Sequence, residues 1–183
     1  MTAKDKNRKH LTQTYVRELF IYRPRLGVLV WRRGRSKGRT GVVAGVIGKR
    51  GRRVLCIDGI KYYASRVIWL YVKGEWPEHE IDHKNRDKTD DRWSNLRAAT
   101  RQQNGANRSI TLKNKHGFWG VKQQSFKEGR KTFRFFASIK VDRKDIYLGR
   151  RDTAVEAAHL YDAAAKKYFG EFAVLNFPLG AET

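Results

Sequence analysis

Cysteine occurs once in these 183 residues, as Cys56, so no internal disulfide can form. With no CxxC pair and no Cys/His cluster, a structural zinc site cannot be assembled either. No uninterrupted apolar stretch reaches the ~18 residues of a membrane span, and the opening MTAKDKNRKH leads into no apolar segment of a secretory signal. A cytoplasmic protein without a membrane partner is expected. Acidic residues are also scarce: 18 Asp and Glu stand against 40 Lys and Arg, for a formal charge of +22 and a pI near 10.5. An acidic disordered tail is thereby excluded, and the partner should be a polyanion. What the chain does hold is 40% apolar and 12% aromatic residues, enough to build real cores in one large domain or two to three small ones.

The charge is unevenly spread. Residues 1–75 carry 19 basic and 4 acidic side chains, residues 76–110 carry 7 and 6, and residues 111–183 carry 14 and 8. An acidic island inside a polyanion binder suits a cation site, because carboxylate oxygens are the natural ligands of a hard ion. Three parts with these boundaries are therefore expected, the outer two gripping the polyanion.

In the first part Leu11, Tyr15, Leu19 and Phe20 recur at helical spacing, and the helix must stop before Pro24. GVLVW (27–31), VVAGVI (42–47) and RRVLCI (52–57) are β-rich runs punctuated by glycines and an Asp58-Gly59 turn, which predicts antiparallel hairpins. ASRVIWLYVKGEWP then sets Val67, Ile68, Tyr71 and Val72 on one helical face, and Gly74 with Pro77 ends it. The loop RRGRSKGRTG (32–41) carries five basic residues among three glycines. It reads plainly as a solvated hairpin tip, while Arg33, Arg35, Lys37 and Arg39 also suit an arm that follows phosphates or enters a minor groove.

The middle stretch, EIDHKNRDKTDDRWSNLRAATRQQNGANR (80–108), is the most informative. Ile81 delivers Asp82 and His83 to the end of a short strand, where alternation sends them to opposite sides unless a turn follows. The polar loop 84–92 supplies that turn, SNLRAA brings the chain back, and Thr100 caps a helix predicted over 101–109. On that helix Asn104 and Arg108 are four apart, with Arg101 and Asn107 on the same face.

A phosphodiester attacked by water needs a base, a cation for the charged oxygens and positive groups to hold the strand. His83 suits the base, its ordinary pKa lying near 6.5. Asp82 and Asn104 offer hard oxygen ligands that select Mg²⁺ or Mn²⁺ over zinc and leave coordination positions open. Asn95 is the orienter, its amide tying loop backbone to backbone around His83. Singly, a His beside an Asp is an ordinary ion pair, and each Asn a cap or a solvated amide. Four specified residues at offsets 0, +1, +13 and +22 recur by chance in roughly one chain per thousand of this length.

This segment resembles the H-N-H endonuclease motif, the ββα-metal fold, in the Asp-His…Asn…Asn variant of phage and intron-encoded homing endonucleases. The resemblance implies Asp82 and Asn104 as metal ligands, His83 as the general base and Asn95 as the residue that orients it. Asn104 stands where many relatives carry His, which favours Mg²⁺. The stretches RVIWLY (66–71) and EW-P (75–77) resemble the lead into such motifs in phage proteins, so the cytoplasm is the host cell's if the gene is a phage's.

From residue 117 the pattern becomes GFWGVKQQ, KTFRFFASIKV, DIYLGR and TAVEAAHLYDAAAKKYFG. Phe133, Phe135, Ala137, Ile139 and Val141 alternate with Arg134, Phe136, Ser138 and Lys140, giving one apolar and one basic face. The helix follows Asp152 or Thr153 as cap and turns Ala154, Ala157, Ala158, Tyr161, Ala164, Ala165 and Phe169 to one side, as plain core would. Lys122, Gln124, Arg134, Lys140, Arg143 and Arg150 read either as a solvated sheet face or as a surface pressed into a major groove. Residues 117–178 are similar to the Apetala-two/ethylene-response-factor DNA-binding domain through FWGV, ASIKV, YLG, TAVEAAHLYDAAA and LNFP. That likeness implies a three-stranded sheet docked in the major groove, with Trp119, Lys122, Gln124, Ser138, Lys140 and Tyr147 at its contact positions.

The fold class expected is α+β: an N-terminal β-rich unit, a central ββα-metal motif, and a C-terminal three-stranded antiparallel sheet packed on one helix. The leading functional expectation is a Mg²⁺-dependent homing-type endonuclease acting on double-stranded DNA, with the monomer favoured and with Arg101 or Arg108 clamping phosphate. The alternatives are a transcription regulator with a vestigial nuclease motif, and a basic RNA binder, which leaves the acidic island unexplained.

Overall fold

Thr12 opens the first helix: its Oγ1 accepts the Tyr15 amide at 3.2 Å, and α1 runs over Gln13–Leu19. The computed structural model describes residues 11–32, 40–107, 117–125 and 133–178, and only the backbone of Gln124, Ser125 and Phe133. Phe20, expected on the helix, instead begins a strand, β1 (Phe20–Arg23), which turns through 24–27 into the antiparallel β2 (Val28–Trp31). Packing decides this. As a strand residue Phe20 is fully buried and stands across from Trp31 with ring centroids 4.5 Å apart, whereas a longer helix would run into Pro24.

The run 42–47 forms less strand than its composition predicts: β3 is only Val46–Ile47, and Val43 meets Val30 through one isolated bridge. β3 pairs with β4 (Arg53–Ile57), and β4 with β5 (Ile60–Tyr63). Asp58 and Gly59, at φ 51° and 78°, make the two-residue turn between β4 and β5, where both positions need positive φ. α2 (Ala64–Lys73) follows and stops at Gly74, whose left-handed backbone directs its N–H to the Leu70 carbonyl.

Val16, Phe20, Leu29, Leu55, Val67 and Ile68 are sealed from solvent here, each burial worth about 1.5–3 kcal/mol. Ile81 and Leu96 belong to the same core. They seat the antiparallel hairpin of β6 (Glu80–His83) and β7 (Leu96–Ala99), and a 3-10 turn, Trp93–Asn95, leads into β7. Trp93 packs on Trp69 of α2 with centroids 5.1 Å apart. The hairpin that carries Asp82 and His83 is thus built into the core made by the N-terminal elements.

Two compact units divide the chain, Met1–Thr100 and Arg101–Thr183. The second begins with α3 (Arg101–Ala106), shorter than the predicted 101–109; Asn107 lies in a turn after it and Arg108 lies outside the described residues. β8 (Val121–Ser125), β9 (Phe133–Val141) and β10 (Lys144–Arg151) form an antiparallel sheet with β9 at its centre. α4 (Ala154–Phe169) is capped by Thr153, whose side chain and that of Glu156 bond each other's backbone amides. Fully buried Ala157, Ala158 and Ala165 let α4 lie close over Ala137 and Ile139. At Gly120, φ 73°, a Cβ would sit 2.0 Å from the Tyr161 ring, so only glycine fits. Asp162 closes the module by accepting the amides of Asn176 and Phe177 at 2.8 and 2.9 Å. The fold class is α+β, and no helix of the described residues is long and apolar enough to cross a membrane.

Candidate active site and nucleic-acid interface

Neighbours on a strand leave it on opposite sides, yet Asp82 and His83 are only 5% and 3% exposed. Burying an unpaired charge is costly, and each finds a partner. Arg97 stands opposite Asp82 in the register of β6 and β7, and its Nε donates to Asp82 Oδ2 at 2.9 Å. His83 Nε2 lies 2.8 Å from Oδ1 of Asp91, itself 2% exposed. Neither Arg97 nor Asp91 is singled out by the sequence reading. Arg97 could have been found by pairing the two strands from their turn, which sets it across from Asp82. Asp91 had no such signal beside Asp87 and Asp90.

Asn95 closes the loop that begins at His83. Its Oδ1 accepts the Asn85 amide at 2.9 Å, its Nδ2 donates to the Asp90 carbonyl at 2.7 Å, and its backbone carbonyl accepts the Lys84 amide at 2.9 Å. One buried residue therefore pins both positions after His83 to the far end of the loop. Inside the loop Asn85 Nδ2 donates to Asp90 Oδ2 at 2.8 Å, and Asp87 Oδ1 accepts both the amide and the hydroxyl of Thr89. Arg92 grips Asp90 through bonds of 2.7 and 2.6 Å, and chiefly for that reason the Asp90 carboxyl is held down at about 2.

Asn104 stands on α3, half-buried, with Arg101 exposed at the start of the same helix. Asn107, expected on their face, is buried at 7% exposure. Arg33, Arg35, Lys37, Arg39 and Arg108 lie outside the described residues.

On the C-terminal sheet the register gathers the predicted contact residues on the face away from α4. Lys122, Phe136 and Arg150 form one row across the three strands, Gln124 and Arg134 the next, and Ser138 faces Tyr147. Tyr147 is 59% exposed and tilts toward Phe136 at 6.2 Å, while Lys122 Nζ lies 6.0 Å from the Phe136 ring centre. Lys140 pairs with Asp145 at 3.5 Å and Arg134 with Asp152 at 4.0 Å, all four side chains more than half exposed. Arg143 occupies the β9–β10 turn at φ 67°, and Trp119 precedes β8, its amide held by Asn176 Oδ1 at 2.6 Å.

Residues 62–106 match the model of the HNH endonuclease family. The matched span contains Asp82, His83, Asn95 and Asn104, together with Asp91 and Arg97. Over 132 residues the chain is 33% identical to an uncharacterized HNH endonuclease of Acanthamoeba polyphaga mimivirus, an alignment covering 71% of this chain and 65% of that protein. A stretch of 40 residues is 55% identical to an ethylene-responsive transcription factor of Arabidopsis thaliana, covering 22% of this chain and 9% of that protein. The chain thus spans just under two thirds of the viral relative's length and about a tenth of the plant protein's. No solved structure matches it.

Within the HNH-matching span, then, a carboxylate and an imidazole occupy successive positions at a strand end, each buried and each held by a partner side chain. The Asp91 carboxylate fixes the imidazole at its Nε2 edge. Among the described residues no three His, Cys, Asp or Glu side chains gather into a metal cage. Asp82 presents hard oxygen donors there, with Oδ2 engaged by Arg97.

Proposed function

We propose that the chain is a homing-type, site-directed endonuclease that hydrolyses phosphodiester bonds of double-stranded DNA with one divalent ion, Mg²⁺ or Mn²⁺, and a histidine base. The observation that carries the reading is the His83 turn. Inside a span that matches the HNH family, the buried Asp82-His83 pair ends a strand whose following loop is tied back by three bonds from Asn95.

In this reading His83 removes a proton from the attacking water, and Asn95 keeps its turn in shape. Asp82 and Asn104 would hold the metal. Oxygen donors of this kind fit Mg²⁺ or Mn²⁺, and Asp82 would offer the ion its side chain with Oδ2 already engaged by Arg97. A bound divalent ion supplies Lewis-acid stabilisation of charge on the phosphate and leaving oxygens. Arg101 or Arg108 clamps a phosphate of the cut strand.

The sheet face of Trp119, Lys122, Gln124, Arg134, Ser138, Lys140, Arg143, Tyr147 and Arg150 docks in the major groove. Basic and amide side chains there reach phosphates and base edges, and the loosely paired lysines and arginines are ready to exchange their carboxylates for phosphates. Arg33, Arg35, Lys37 and Arg39 add a further arm along the backbone. Such a protein works in the cytoplasm of the cell that holds its target.

The experiment is to incubate purified protein with a library of DNA duplexes in Mg²⁺ or in EDTA and to map the cut ends. Cuts recurring at one sequence in Mg²⁺ and absent in EDTA are expected. Duplexes bound at a specific sequence but intact under both conditions would overturn the enzyme and favour a DNA-binding regulator, the reading that the 40-residue likeness to a plant transcription factor supports.

A further inference from the structure

Among the described residues of the N-terminal unit Asp91 is the most enclosed acidic side chain, at 2% exposure, and it touches His83. Only one of its oxygens is engaged: Oδ1 meets His83 Nε2 at 2.8 Å, and Oδ2 has no hydrogen-bond partner among the described residues. Its backbone is fixed from the far side of the sequence. Tyr22 of β1 donates its hydroxyl to the Asp91 carbonyl at 3.0 Å, and burial pushes the Tyr22 pKa up to about 12, so the hydroxyl stays a donor. Gly27, in the β1–β2 turn at φ 67°, lies against the same segment; a Cβ there would be 2.7 Å from the Asp91 carbonyl carbon and 2.4 Å from the Arg92 nitrogen. The first hairpin therefore sets where the Asp91 carboxylate stands.

A carboxylate only accepts hydrogen bonds, so the imidazole nitrogen facing it carries the hydrogen. In the neutral ring the lone pair is then on Nδ1. We propose that Asp91 is a positioning residue that fixes His83 as the Nε2–H tautomer, makes Nδ1 the atom that takes the proton from water, and is itself held in place by the β1–β2 hairpin. The inference rests on His83 being the base in the function proposed above, and it gives the N-terminal hairpin a role in the chemistry beyond carrying positive charge.

Asp91→Asn separates positioning from mere packing, because it preserves shape. An asparagine there would have to bury either its oxygen or its NH₂ at the Oδ2 position, which offers no partner. With its oxygen toward His83 the amide leaves an NH₂ unpaired, and with its NH₂ toward His83 it moves the ring hydrogen to Nδ1, which is also buried without a partner among the described residues; in either orientation the charged acceptor that selects the Nε2–H ring is gone. The measurement is the ring ¹⁵N spectrum of His83 in the full chain, assigned against His83→Gln, alongside single-turnover cleavage and duplex affinity in EDTA. Expected are an Nε2–H ring in the wild type, a ring with a substantial Nδ1–H population in Asp91→Asn, and cleavage slower by about 10²–10⁴-fold with affinity unchanged. Tyr22→Phe, which removes the bond to the Asp91 carbonyl and the one the Tyr22 oxygen makes with the Trp93 backbone, should give a smaller Nδ1–H population and about a 10-fold slower reaction. A wild-type ring protonated on Nδ1, or an Asp91→Asn protein with the wild-type tautomer and rate, would overturn the inference. A protein that never cuts DNA yet switches tautomer in Asp91→Asn would remove the nuclease reading and uphold the control of His83 by Asp91.

Discussion

The charges of the β6–β7 hairpin and those of the C-terminal sheet face obey different rules. Asp82, His83 and Asp91 are all at or below 5% exposure and meet their partners at 2.8–2.9 Å. The sheet's pairs, Lys140 with Asp145 and Arg134 with Asp152, span 3.5 and 4.0 Å with every side chain more than half exposed. Buried pairs are weakly screened and geometrically fixed, so they place atoms; exposed pairs contribute little to stability and yield readily to a stronger anion. One region is built to hold a geometry, and the other leaves its charges loosely tied.

The sharpest way to break this contrast is at the buried end. His83→Ala should slow cleavage by about 10²–10⁴-fold, the contribution of a positioned acid–base group, while duplex affinity in EDTA stays at the wild-type value. Single-turnover assays beside gel shifts check both. Second in size is the support of the hairpin. Leu29→Ala, in the core shared by Ile81 and Leu96, should destabilise the N-terminal unit by about 2–5 kcal/mol in urea unfolding, because the cavity adds to the lost burial. On the exposed face, Lys122→Ala and Arg134→Ala should each reduce the salt slope of DNA binding by about 0.9, seen as binding isotherms across salt concentrations, with cleavage at saturating protein unchanged.

The smallest effect concerns acid. The Asp90 carboxyl is held at about 2 by Arg92, below the ~3.9 of an unfolded chain. Its contribution to stability is full above about pH 4 and disappears as pH falls through about 2. Wild type should therefore be more stable than Asp90→Asn at pH 6, and the two should converge by about pH 2 in denaturant titrations.

How far the sequence reveals these features depends on whether they are local. The α2 helix ending at Gly74, the Asp58-Gly59 turn, the Thr153 cap and the alternation along β9 are written in neighbouring residues, and the structure has them where spacing and turn chemistry predict. Asp82 and His83 end β6 and Asn95 ties the loop that follows them, positions that a strand, a loop and a returning strand impose. What escaped is non-local. Phe20 left its helical pattern for a strand because Trp31 and the core bury it better than a helix running toward Pro24 could. Asp91 is distinguished from Asp87 and Asp90 only by Tyr22 and Gly27, residues more than sixty positions earlier in the chain. The run 42–47 looked like a full strand by composition, but its neighbours leave Val46 and Ile47 exposed and only those two paired on β4.

The central claim is that the middle of the chain cuts while its basic flanks grip. Its most direct test is a parallel measurement of duplex affinity and single-turnover cleavage rate for Asp82→Ala and for a protein with Lys122, Arg134 and Lys140 all changed to Ala. The expected result is a division of effects: no cleavage with near-normal affinity for Asp82→Ala, and weakened affinity with a normal rate at saturation for the triple variant. Affinity and rate falling together in both proteins would contradict it.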